Sequence, residues 1–259
     1  MRLLAIGDVC GEAGCQILLK QLPLLKKENS IDACIVNGEN SAEGNGITKQ
    51  SAELIFAAGA DVITGGNHTL RRKEFYDYLD NNPFTLRPEN LSNAESGRGY
   101  CFLDFGKFSL AVINLCGKIY LDRVAADNPF LAADALIQKA KTDGADIIAV
   151  DFHAEATSEK RAMGFYLDGK ASVVFGTHTH IQTADEQILP LGTGYITDLG
   201  MTGPKNSILG VKTDIIINRL RDNDLSKFEF AKGEACLCGC IFEIDIKSGK
   251  TIEVTRINI

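Results

Sequence analysis

The stretch Ala171-Ser-Val-Val-Phe-Gly-Thr-His-Thr-His180 joins a predicted strand to a pair of histidines. Its first five residues are small or apolar, include two valines and stop at a glycine, a pattern that predicts a short buried strand. His178 and His180 lie two residues apart at the end of that strand, so their side chains are expected to project to the same side. Two imidazoles placed in this way can serve as a pair of metal ligands. The alternative is that one histidine lies in the core and the other in solvent.

Polar residues at the ends of four other predicted strands favour the metal-ligand alternative. The sequence predicts short apolar strands over 3–8, 33–37, 61–64 and 145–150. The polar residues at or just beyond their ends are Asp8, Glu39, Asn40, Asn67, His68 and His153. In open α/β sheets the loops that follow several strands converge at one edge, and sites assemble there. All four histidines of the chain are therefore expected near that edge.

Seven of these side chains carry atoms that bind metal ions in proteins. Carboxylates suit hard cations, and neutral imidazole suits iron, manganese or zinc. The seven candidates are Asp8, Glu39, Asn40, Asn67, His153, His178 and His180. One metal ion rarely takes more than about six donors, so seven donors that include a bridging carboxylate favour two ions. Two ions about 3.5–4 Å apart are typical of enzymes that hydrolyse phosphoesters.

Size and composition limit the classes of protein to consider. The chain has 259 residues, of which 45% are hydrophobic and 24% charged, values typical of a globular domain with a large core. A formal net charge of -7 without a basic patch argues against duplex nucleic acid as a partner. No stretch approaches the roughly 20 apolar residues of a membrane span, and no secretory signal is expected. Eight scattered cysteines fit a reducing compartment, so we expect a cytoplasmic protein.

The order of the predicted elements indicates the fold class. Strands and helices alternate up to the two histidines, and the pattern then changes to strands joined by turns. Such an order predicts an α/β protein with two packed sheets flanked by helices. No internal repeat, low-complexity segment or linker interrupts the sequence, so we expect a single domain over 1–259. One helix is predicted over 16–27, where Pro23 should break or kink it, and another over 71–79.

Taken in order, the motifs of this chain resemble those of the calcineurin-like metallophosphoesterases. The motifs are Asp8, Gly38-Glu39-Asn40, Gly66-Asn67-His68, His153 and Gly176-Thr177-His178-Thr179-His180. Three longer stretches resemble one bacterial branch, the YmdB-like 2',3'-cyclic-nucleotide phosphodiesterases. They are His153-Ala-Glu-Ala-Thr-Ser-Glu-Lys160, Thr177-His-Thr-His-Ile-Gln-Thr-Ala-Asp185 and Tyr195-Ile-Thr-Asp-Leu-Gly-Met-Thr-Gly-Pro204. The resemblance extends over essentially the whole chain.

This chain departs from the broad superfamily at two motifs. The superfamily's Asp-x-His is Asp8-Val9-Cys10 here. Its Gly-Asp is Gly38-Glu39-Asn40 here, a form that the YmdB-like branch shares. The resemblance implies that Glu39 bridges two metal ions and that Asn40 replaces the missing histidine as a donor. Cys10, as a thiolate, is the alternative ligand at that position.

The resemblance further implies a four-layer αββα sandwich that holds two metal ions, iron or a mixture of iron and manganese. The ligands implied for the first ion are Asp8, Glu39, Asn40 and His180. The ligands implied for the second ion are Glu39, Asn67, His153 and His178. His68 is implied to stay unbound and to face the substrate. The alternative for His68 is packing, or capping of the helix that follows it.

The chemistry expected of such a site is phosphodiester hydrolysis. Two metal ions lower the pKa of a bridging water, and the resulting hydroxide attacks phosphorus. An alkoxide is a poor leaving group, so a proton donor is needed, and His68 is the candidate. The resemblance implies hydrolysis of 2',3'-cyclic nucleotides to 3'-monophosphates by a homodimer. The alternatives are a phosphomonoesterase and a non-catalytic metal-binding regulator, and no residue of the sequence identifies a nucleobase pocket.

Overall fold

Two mixed β-sheets lie face to face in the computed structural model, which describes residues 1–92, 94–121 and 124–259. The strands are β1 (Arg2–Ile6), β2 (Asp8–Val9), β3 (Ala33–Asn37), β4 (Val62–Thr64), β5 (Tyr100–Asp104), β6 (Ser109–Cys116), β7 (Ile147–His153), β8 (Val173–Thr177), β9 (Gln187–Ile188), β10 (Gly194–Ile196), β11 (Met201–Pro204), β12 (Ala235–Cys236), β13 (Cys238–Asp245) and β14 (Lys250–Asn258). The helices are α1 (Gly11–Glu28), α2 (Lys49–Ala58), α3 (Tyr76–Asn81), α4 (Pro129–Thr142), α5 (Thr157–Tyr166) and α6 (Thr213–Asp222). Two short 3₁₀ helices, Thr69–Arg71 and Lys73–Phe75, precede α3.

The strand order places the parallel strands of each large sheet side by side. In the five-stranded sheet, β14-β13-β1-β3-β4, strands β1, β3 and β4 are parallel and β13 is antiparallel to β1. In the six-stranded sheet, β5-β6-β7-β8-β10-β9, strands β6, β7, β8 and β10 are parallel. A small sheet, β12-β11-β2, pairs β2 in parallel with β11. The C-terminal ends of the parallel strands are the positions at which the sequence places the candidate ligands.

Three hydrophobic clusters separate the four layers of the fold. In β1, Leu4 packs towards α1 and α2, whereas Leu3 packs between the two sheets. In β7, Ala149 packs between the sheets and Val150 packs towards α4 and α5. Because successive side chains of a strand point to opposite faces, both faces of each sheet are buried. This arrangement is an αββα sandwich, and the predicted fold is confirmed.

Helix α1 is longer than the sequence predicts. It begins at Gly11 rather than near 16, and it continues through Pro23 to Glu28. A proline inside a helix removes one hydrogen bond and clashes with the preceding turn, which is why the pattern predicts a break. Leu18 and Leu25 lie on either side of Pro23 in the same hydrophobic cluster, so packing on the sheet holds the helix together across the proline. Among the described residues, no helix is long and apolar enough to cross a membrane.

The prediction of one helix over 71–79 is wrong. The chain forms the two 3₁₀ helices instead, and α3 begins only at Tyr76. Arg72, between the two 3₁₀ helices, is extended, with φ −113° and ψ 108°. Its side chain donates a hydrogen bond to the carbonyl oxygen of Asn45 (2.9 Å), 27 residues away in the sequence. This contact with a distant loop accompanies the break in the helix, and the local pattern carries no sign of it.

Candidate metal centre

The candidate ligands converge where the parallel strands end. Asp8 lies in β2 directly after β1, and Glu39 follows β3. Asn67 follows β4, His153 is the last residue of β7, and His178 follows β8. Asp8, Glu39 and His153 are fully buried. The N–H of His178 donates to Asp8 Oδ2 (3.1 Å) across a sequence separation of 170 residues, so the two sheets meet at this edge.

Glu39 lies at the centre of the cluster. Its Oε1 atom is 3.2 Å from His153 Nε2 and 3.1 Å from Asn40 Nδ2. His153 Nε2 is in turn 2.9 Å from Asn67 Oδ1 and 3.0 Å from His178 Nδ1. Metal-binding atoms of Glu39, His153 and His178 all lie within 4.8 Å of one another. This buried group of carboxylate and imidazole atoms matches the donor set of a transition-metal site.

Asp8 and His180 form the other half of the cluster. His180 Nε2 lies 3.3 Å from Asn40 Nδ2 and 3.7 Å from Asp8 Oδ1. Asp8 Oδ1 is buried and has no hydrogen-bond partner among the described residues. A buried carboxylate oxygen without a partner is costly, and a bound cation would remove that cost. The residues present therefore fit a metal ion on this side as well.

Polar partners on the outer side of three imidazoles turn the inner nitrogens towards the centre. The outer pairs are His153 Nδ1 with Thr177 Oγ1 (2.9 Å), His178 Nε2 with Glu155 Oε2 (3.1 Å) and His180 Nδ1 with the carbonyl oxygen of Leu209 (3.1 Å). A neutral imidazole carries one proton, and an acceptor beside the outer nitrogen places the proton there. The inner nitrogens, His153 Nε2, His178 Nδ1 and His180 Nε2, are therefore the candidate metal-binding atoms, and His153 Nε2, which faces the acceptors Glu39 Oε1 and Asn67 Oδ1, has to lose a proton before it can bind a cation.

Thr177 Oγ1 accepts a hydrogen bond from His153 Nδ1 if its own hydroxyl hydrogen points to another acceptor. Its hydroxyl donates to Asp151 Oδ1 (2.7 Å), while Asp151 Oδ2 accepts from Thr64 (2.5 Å) and Asn37 (3.1 Å). Burial raises the pKa of Asp151 to about 6, although the charge of His153 and these hydrogen bonds oppose the rise. Above that pKa the carboxylate can only accept, so Thr177 points its proton at Asp151 and a lone pair at His153. This arrangement fixes the His153 ring from behind.

Two of the candidate ligands have strained backbone conformations. His178 has a φ of 98° and His180 a φ of 63°, values that are uncommon for residues other than glycine. Between them, Thr179 donates its N–H (3.1 Å) and its hydroxyl (2.6 Å) to Asp198 Oδ2. The same oxygen accepts from the Lys160 ammonium (2.6 Å), and the two charged side chains are 1% and 0% exposed. The buried ion pair therefore holds the turn that carries both imidazoles.

Gly66 allows the backbone to pass close to the ligands. A Cβ atom at this position would lie 2.2 Å from Glu39 Oε2 and 2.3 Å from His153 Nε2. Any side chain would therefore displace one of these two ligands. The close approach also lets the N–H of His68 donate to Glu39 Oε2 (2.9 Å), which ties the Gly66-Asn67-His68 segment to the centre.

A proton neutralises part of the negative charge of the cluster. Burial by itself would lower the pKa of His153, but the charge of Glu39 and its hydrogen bond outweigh burial and raise it to about 9. Burial raises the pKa of Asp8, and burial together with the charge of His153 lowers the pKa of His178 to about 3. Despite burial, His153 and His68 hold the pKa of Glu39 well below its ordinary value. A cation at His153 Nε2 requires the loss of this proton, so cation and proton compete for the site.

The two candidates for the missing motif histidine differ in where their polar atoms lie. Asn40 is buried and points its Nδ2 atom at Glu39 and His180. A metal ion binds an amide through oxygen, so Asn40 would act as a ligand only with its amide group turned over, which would also turn Nδ2 in place of Oδ1 towards His68. Cys10 Sγ lies 3.8 Å from His180 Nδ1, the nitrogen on the outer side of the ring. Burial also raises the pKa of Cys10 well above its ordinary value, which opposes a thiolate there.

His68 differs from the other three histidines in what its ring faces. Its Nδ1 atom lies 3.1 Å from Asn40 Oδ1 and 3.3 Å from Glu39 Oε1, and both oxygens are acceptors. In this orientation of Asn40, Nδ1 carries a proton and offers no lone pair to a metal ion. The side chain is 27% exposed and lines an open cavity beside the cluster. It makes no capping hydrogen bond to the 3₁₀ helix that follows, which counts against a capping role.

Sequence reasoning missed the residues that orient the ligands. Thr177, Glu155, Lys160 and Asp198 all lie inside the motif stretches that carry the family resemblance, but no role was assigned to them. Asp151 lies two residues before His153 on β7. The sequence signal for these five residues was their location inside a motif or next to one. It could have marked them as neighbours of the centre, although not as partners of particular ring nitrogens.

Comparisons with known proteins agree with the fold and the site. A model of the family described as YmdB-like protein matches residues 4–257. The chain is 45% identical over 259 residues to a 2',3'-cyclic-nucleotide 2'-phosphodiesterase of Bacillus subtilis strain 168, covering 100% of this chain and 97% of that protein. A crystal structure from Mycoplasma pneumoniae, described as a novel phosphatase, is 37% identical with a TM-score of 0.94, covering 100% of this chain and 93% of that one.

A more distant structure shows the fold alone. A 5'-nucleotidase precursor from Thermus thermophilus is 11% identical with a TM-score of 0.62, and it covers 100% of this chain and 54% of that one. The resemblance inferred from the motifs is thus confirmed at the level of sequence, and the α/β metallophosphoesterase fold at the level of structure. Because the family model spans nearly the whole chain and a relative of similar length is 45% identical, the chain belongs to the YmdB-like protein family.

Proposed function

We propose that this protein is a metal-dependent phosphodiesterase that hydrolyses 2',3'-cyclic nucleotides to 3'-monophosphates. The observation that carries the proposal is the set of three imidazoles whose outer polar partners turn their inner nitrogens towards the buried Glu39. Two imidazoles of the set, His178 and His180, line a cavity of about 360 Å³, which is within the size range of small-molecule sites. The name of the Bacillus subtilis relative supports the choice of substrate.

Two metal ions are proposed, with the ligands divided between them around Glu39. The ligands of the first ion are Asp8, Glu39, Asn40 and His180. Those of the second ion are Glu39, Asn67, His153 and His178. Iron, alone or with manganese, is the proposed metal, because imidazole and carboxylate donors suit both. When bound, the ions supply an acidified water and the positive charge that holds the phosphate of an anionic substrate.

The side chains around the ligands orient them and hold a proton near the substrate. Thr177 and Glu155 orient the rings of His153 and His178 so that Nε2 of the first and Nδ1 of the second face the centre. The hydrogen bond from the His68 backbone to the centre fixes the segment that carries this side chain. His68 can then hold a proton at the cavity wall and donate it to the ribose oxygen that leaves phosphorus. We assign this catalytic role to His68.

The position of His68 favours an enzyme over a regulator that binds metal only for stability. A regulator could keep all seven ligands, because a bound metal stabilises a fold. It would not need an imidazole that lines the cavity beside the ligands and makes no capping hydrogen bond to the next helix. The proposal also includes a single domain over 1–259, a homodimer and a cytoplasmic location, with neither a membrane nor duplex nucleic acid as a partner.

The metal-reconstituted protein is expected to open 2',3'-cyclic AMP and to release 3'-AMP. Chelation is expected to abolish turnover, because no side chain of the site is proposed as a nucleophile. Chromatography of the products checks both expectations. Release of 2'-AMP alone would reject the regiochemistry, and hydrolysis of monoesters without ring opening would indicate a phosphomonoesterase. No turnover at full metal content would support the regulator.

Asn40→Ala is expected to lower the metal content from two ions per chain to about one, whereas Cys10→Ser is expected to keep both ions. The physical reason is that Asn40 borders the inner nitrogen of His180, and Cys10 borders the outer one. Elemental analysis after reconstitution with iron and manganese measures both variants beside the wild type. The reverse pattern would assign the ligand to Cys10. A wild-type content of one ion or fewer would contradict the dinuclear centre.

A further inference from the structure

The cavity beside the candidate metal centre has two chemically different sides. The polar side contains His68, His178 and His180. The other side comes from a single segment of the chain, residues 208–230. Its lining side chains, here called the apolar wall, are Ile208, Leu209, Val211, Ile216, Phe228 and Phe230. None of these six side chains carries a charge or a hydrogen-bonding group, so this side suits the neutral part of a ligand.

The apolar wall is attached to a candidate metal ligand through one hydrogen bond. The carbonyl oxygen of Leu209 accepts from His180 Nδ1 (3.1 Å). Leu209, with a φ of 53°, and Gly210, with a φ of 93°, form a tight turn between the bridged residues Ile208 and Val211. One imidazole ring and one hydrogen bond therefore separate the wall from the nitrogen assigned to metal binding. The apolar wall would therefore lie close to a phosphate bound at the metal centre.

Backbone pairing and a cation–π contact hold the apolar wall in place. Val211 forms a β-bridge with Phe230, and α6 spans the interval between them. The guanidinium of Arg219, on α6, lies over the ring of Phe228 at 4.2 Å from its centroid. Phe228 is nevertheless 53% exposed. An exposed aromatic ring that is fixed in position and lines a cavity can stack against a planar ligand.

We propose that the apolar wall is the binding subsite for the nucleobase and that it accepts all four bases. The inference rests on the proposed function. A 2',3'-cyclic nucleotide has an anionic end and a planar, uncharged end joined by one ribose ring. The phosphate would lose hydration without compensation on the wall, so the phosphate belongs at the metal centre and the base on the wall. Because the wall side chains offer no donor or acceptor, they do not distinguish the edges of different bases.

Phe228→Ala tests the subsite, because Phe228 is exposed and contacts no candidate ligand among the hydrogen bonds and stacks described. The kcat/KM for 2',3'-cyclic AMP is expected to fall about tenfold or more, mainly through KM, the scale of base–aromatic stacking. The kcat/KM for the 2',3'-cyclic phosphate of methyl riboside, which has no base, is expected to stay unchanged. In the wild type, the four 2',3'-cyclic nucleotides are expected to agree within about tenfold.

Two control variants separate the subsite from a general effect of the segment. Leu225→Ala is the matched control, because Leu225 follows α6 in the same segment, is 86% exposed and lies outside the described cavity lining. Phe228→Leu keeps an apolar side chain but removes the ring, so it is expected to lose most of the same factor. Calorimetric binding to the metal-loaded protein gives a readout apart from turnover. Phe228→Ala is expected to weaken binding of 3'-AMP and to leave binding of ribose 3-phosphate unchanged.

Three results would overturn the subsite. The first is an equal loss of kcat/KM in Phe228→Ala on the substrates with and without a base. The second is the same loss of kcat/KM in Leu225→Ala. The third is a wild type whose kcat/KM is no higher for cyclic AMP than for the analogue without a base. A strong preference for one base would overturn the tolerance of all four. A wild type that binds metal and opens neither cyclic phosphate would instead reject the proposed function, so the two failures are distinguishable.

Discussion

Replacing His68 with alanine is expected to slow hydrolysis of 2',3'-cyclic AMP about 10²–10⁴-fold at unchanged metal content, the scale of general-acid catalysis. The physical reason is the leaving group, because a ribose oxygen departs as a poorly stabilised alkoxide unless it receives a proton. His68 lines the cavity, and its Nδ1 lies 3.3 Å from Glu39 Oε1, which is an acceptor in either orientation of the Asn40 amide. A nitrophenolate departs without a proton, so a nitrophenyl phosphodiester should lose far less activity. Turnover of both substrates, at equal metal content, measures the difference.

His68→Asn is the matched control for the contacts that the imidazole makes. An asparagine amide can donate a hydrogen bond to Glu39 in place of the imidazole, but it cannot serve as a general acid. Both variants are therefore expected to be slow on the cyclic nucleotide and to keep both ions. Equal losses on the two substrates would show that His68 orients the phosphate. Loss of metal together with the imidazole would make His68 a ligand or a structural support.

Lys160→Met is expected to lower the free energy of unfolding by about 3–5 kcal/mol, because it leaves a buried charge without its partner. Lys160 Nζ lies 2.6 Å from Asp198 Oδ2, and the two side chains are 1% and 0% exposed. The carboxylate would then keep only its neutral donors, including the hydroxyl and N–H of Thr179. Because Thr179 lies between His178 and His180, the metal content is expected to fall as well. Urea unfolding of the metal-loaded protein and elemental analysis measure the two effects.

Lys170→Met is the matched control for loss of a lysine from an ion pair. Lys170 Nζ lies 3.7 Å from Asp134 Oδ1, and the side chains are 40% and 49% exposed. An exposed pair of this kind contributes less than about 1 kcal/mol, so this variant should unfold almost as the wild type does. Adding Asp198→Asn to Lys160→Met should recover part of the loss, because no unpaired charge remains. Similar small losses in both lysine variants would contradict the role of the buried pair.

The layers of the fold could be predicted from local patterns, whereas some element boundaries could not. The inner strands of the two large sheets are buried on both faces, so they read as continuous apolar runs, which predict strands. The single helix expected over 71–79 is interrupted at Arg72, whose extended backbone accompanies a hydrogen bond from its side chain to the carbonyl of Asn45 in a distant loop. Pro23 was expected to break or kink α1; the helix is not broken there, and it packs on the sheet on both sides of that residue. In each case a contact between distant segments outweighed the local propensity.

The sequence by itself determined which donors this protein presents and that they lie at strand ends, because residue type and strand ends are local properties. Only the tertiary structure decided which nitrogen of each imidazole faces inward. His180 is oriented by the carbonyl of Leu209, 29 residues away, and its turn is held by Asp198 and Lys160, themselves 38 residues apart. The tertiary structure alone also placed the apolar wall beside the histidines, in the lining of the same cavity. These hydrogen bonds and this cavity join segments that are far apart in the sequence and at no regular spacing, so no sequence pattern reveals the contacts. The packing of the two sheets brings the segments together.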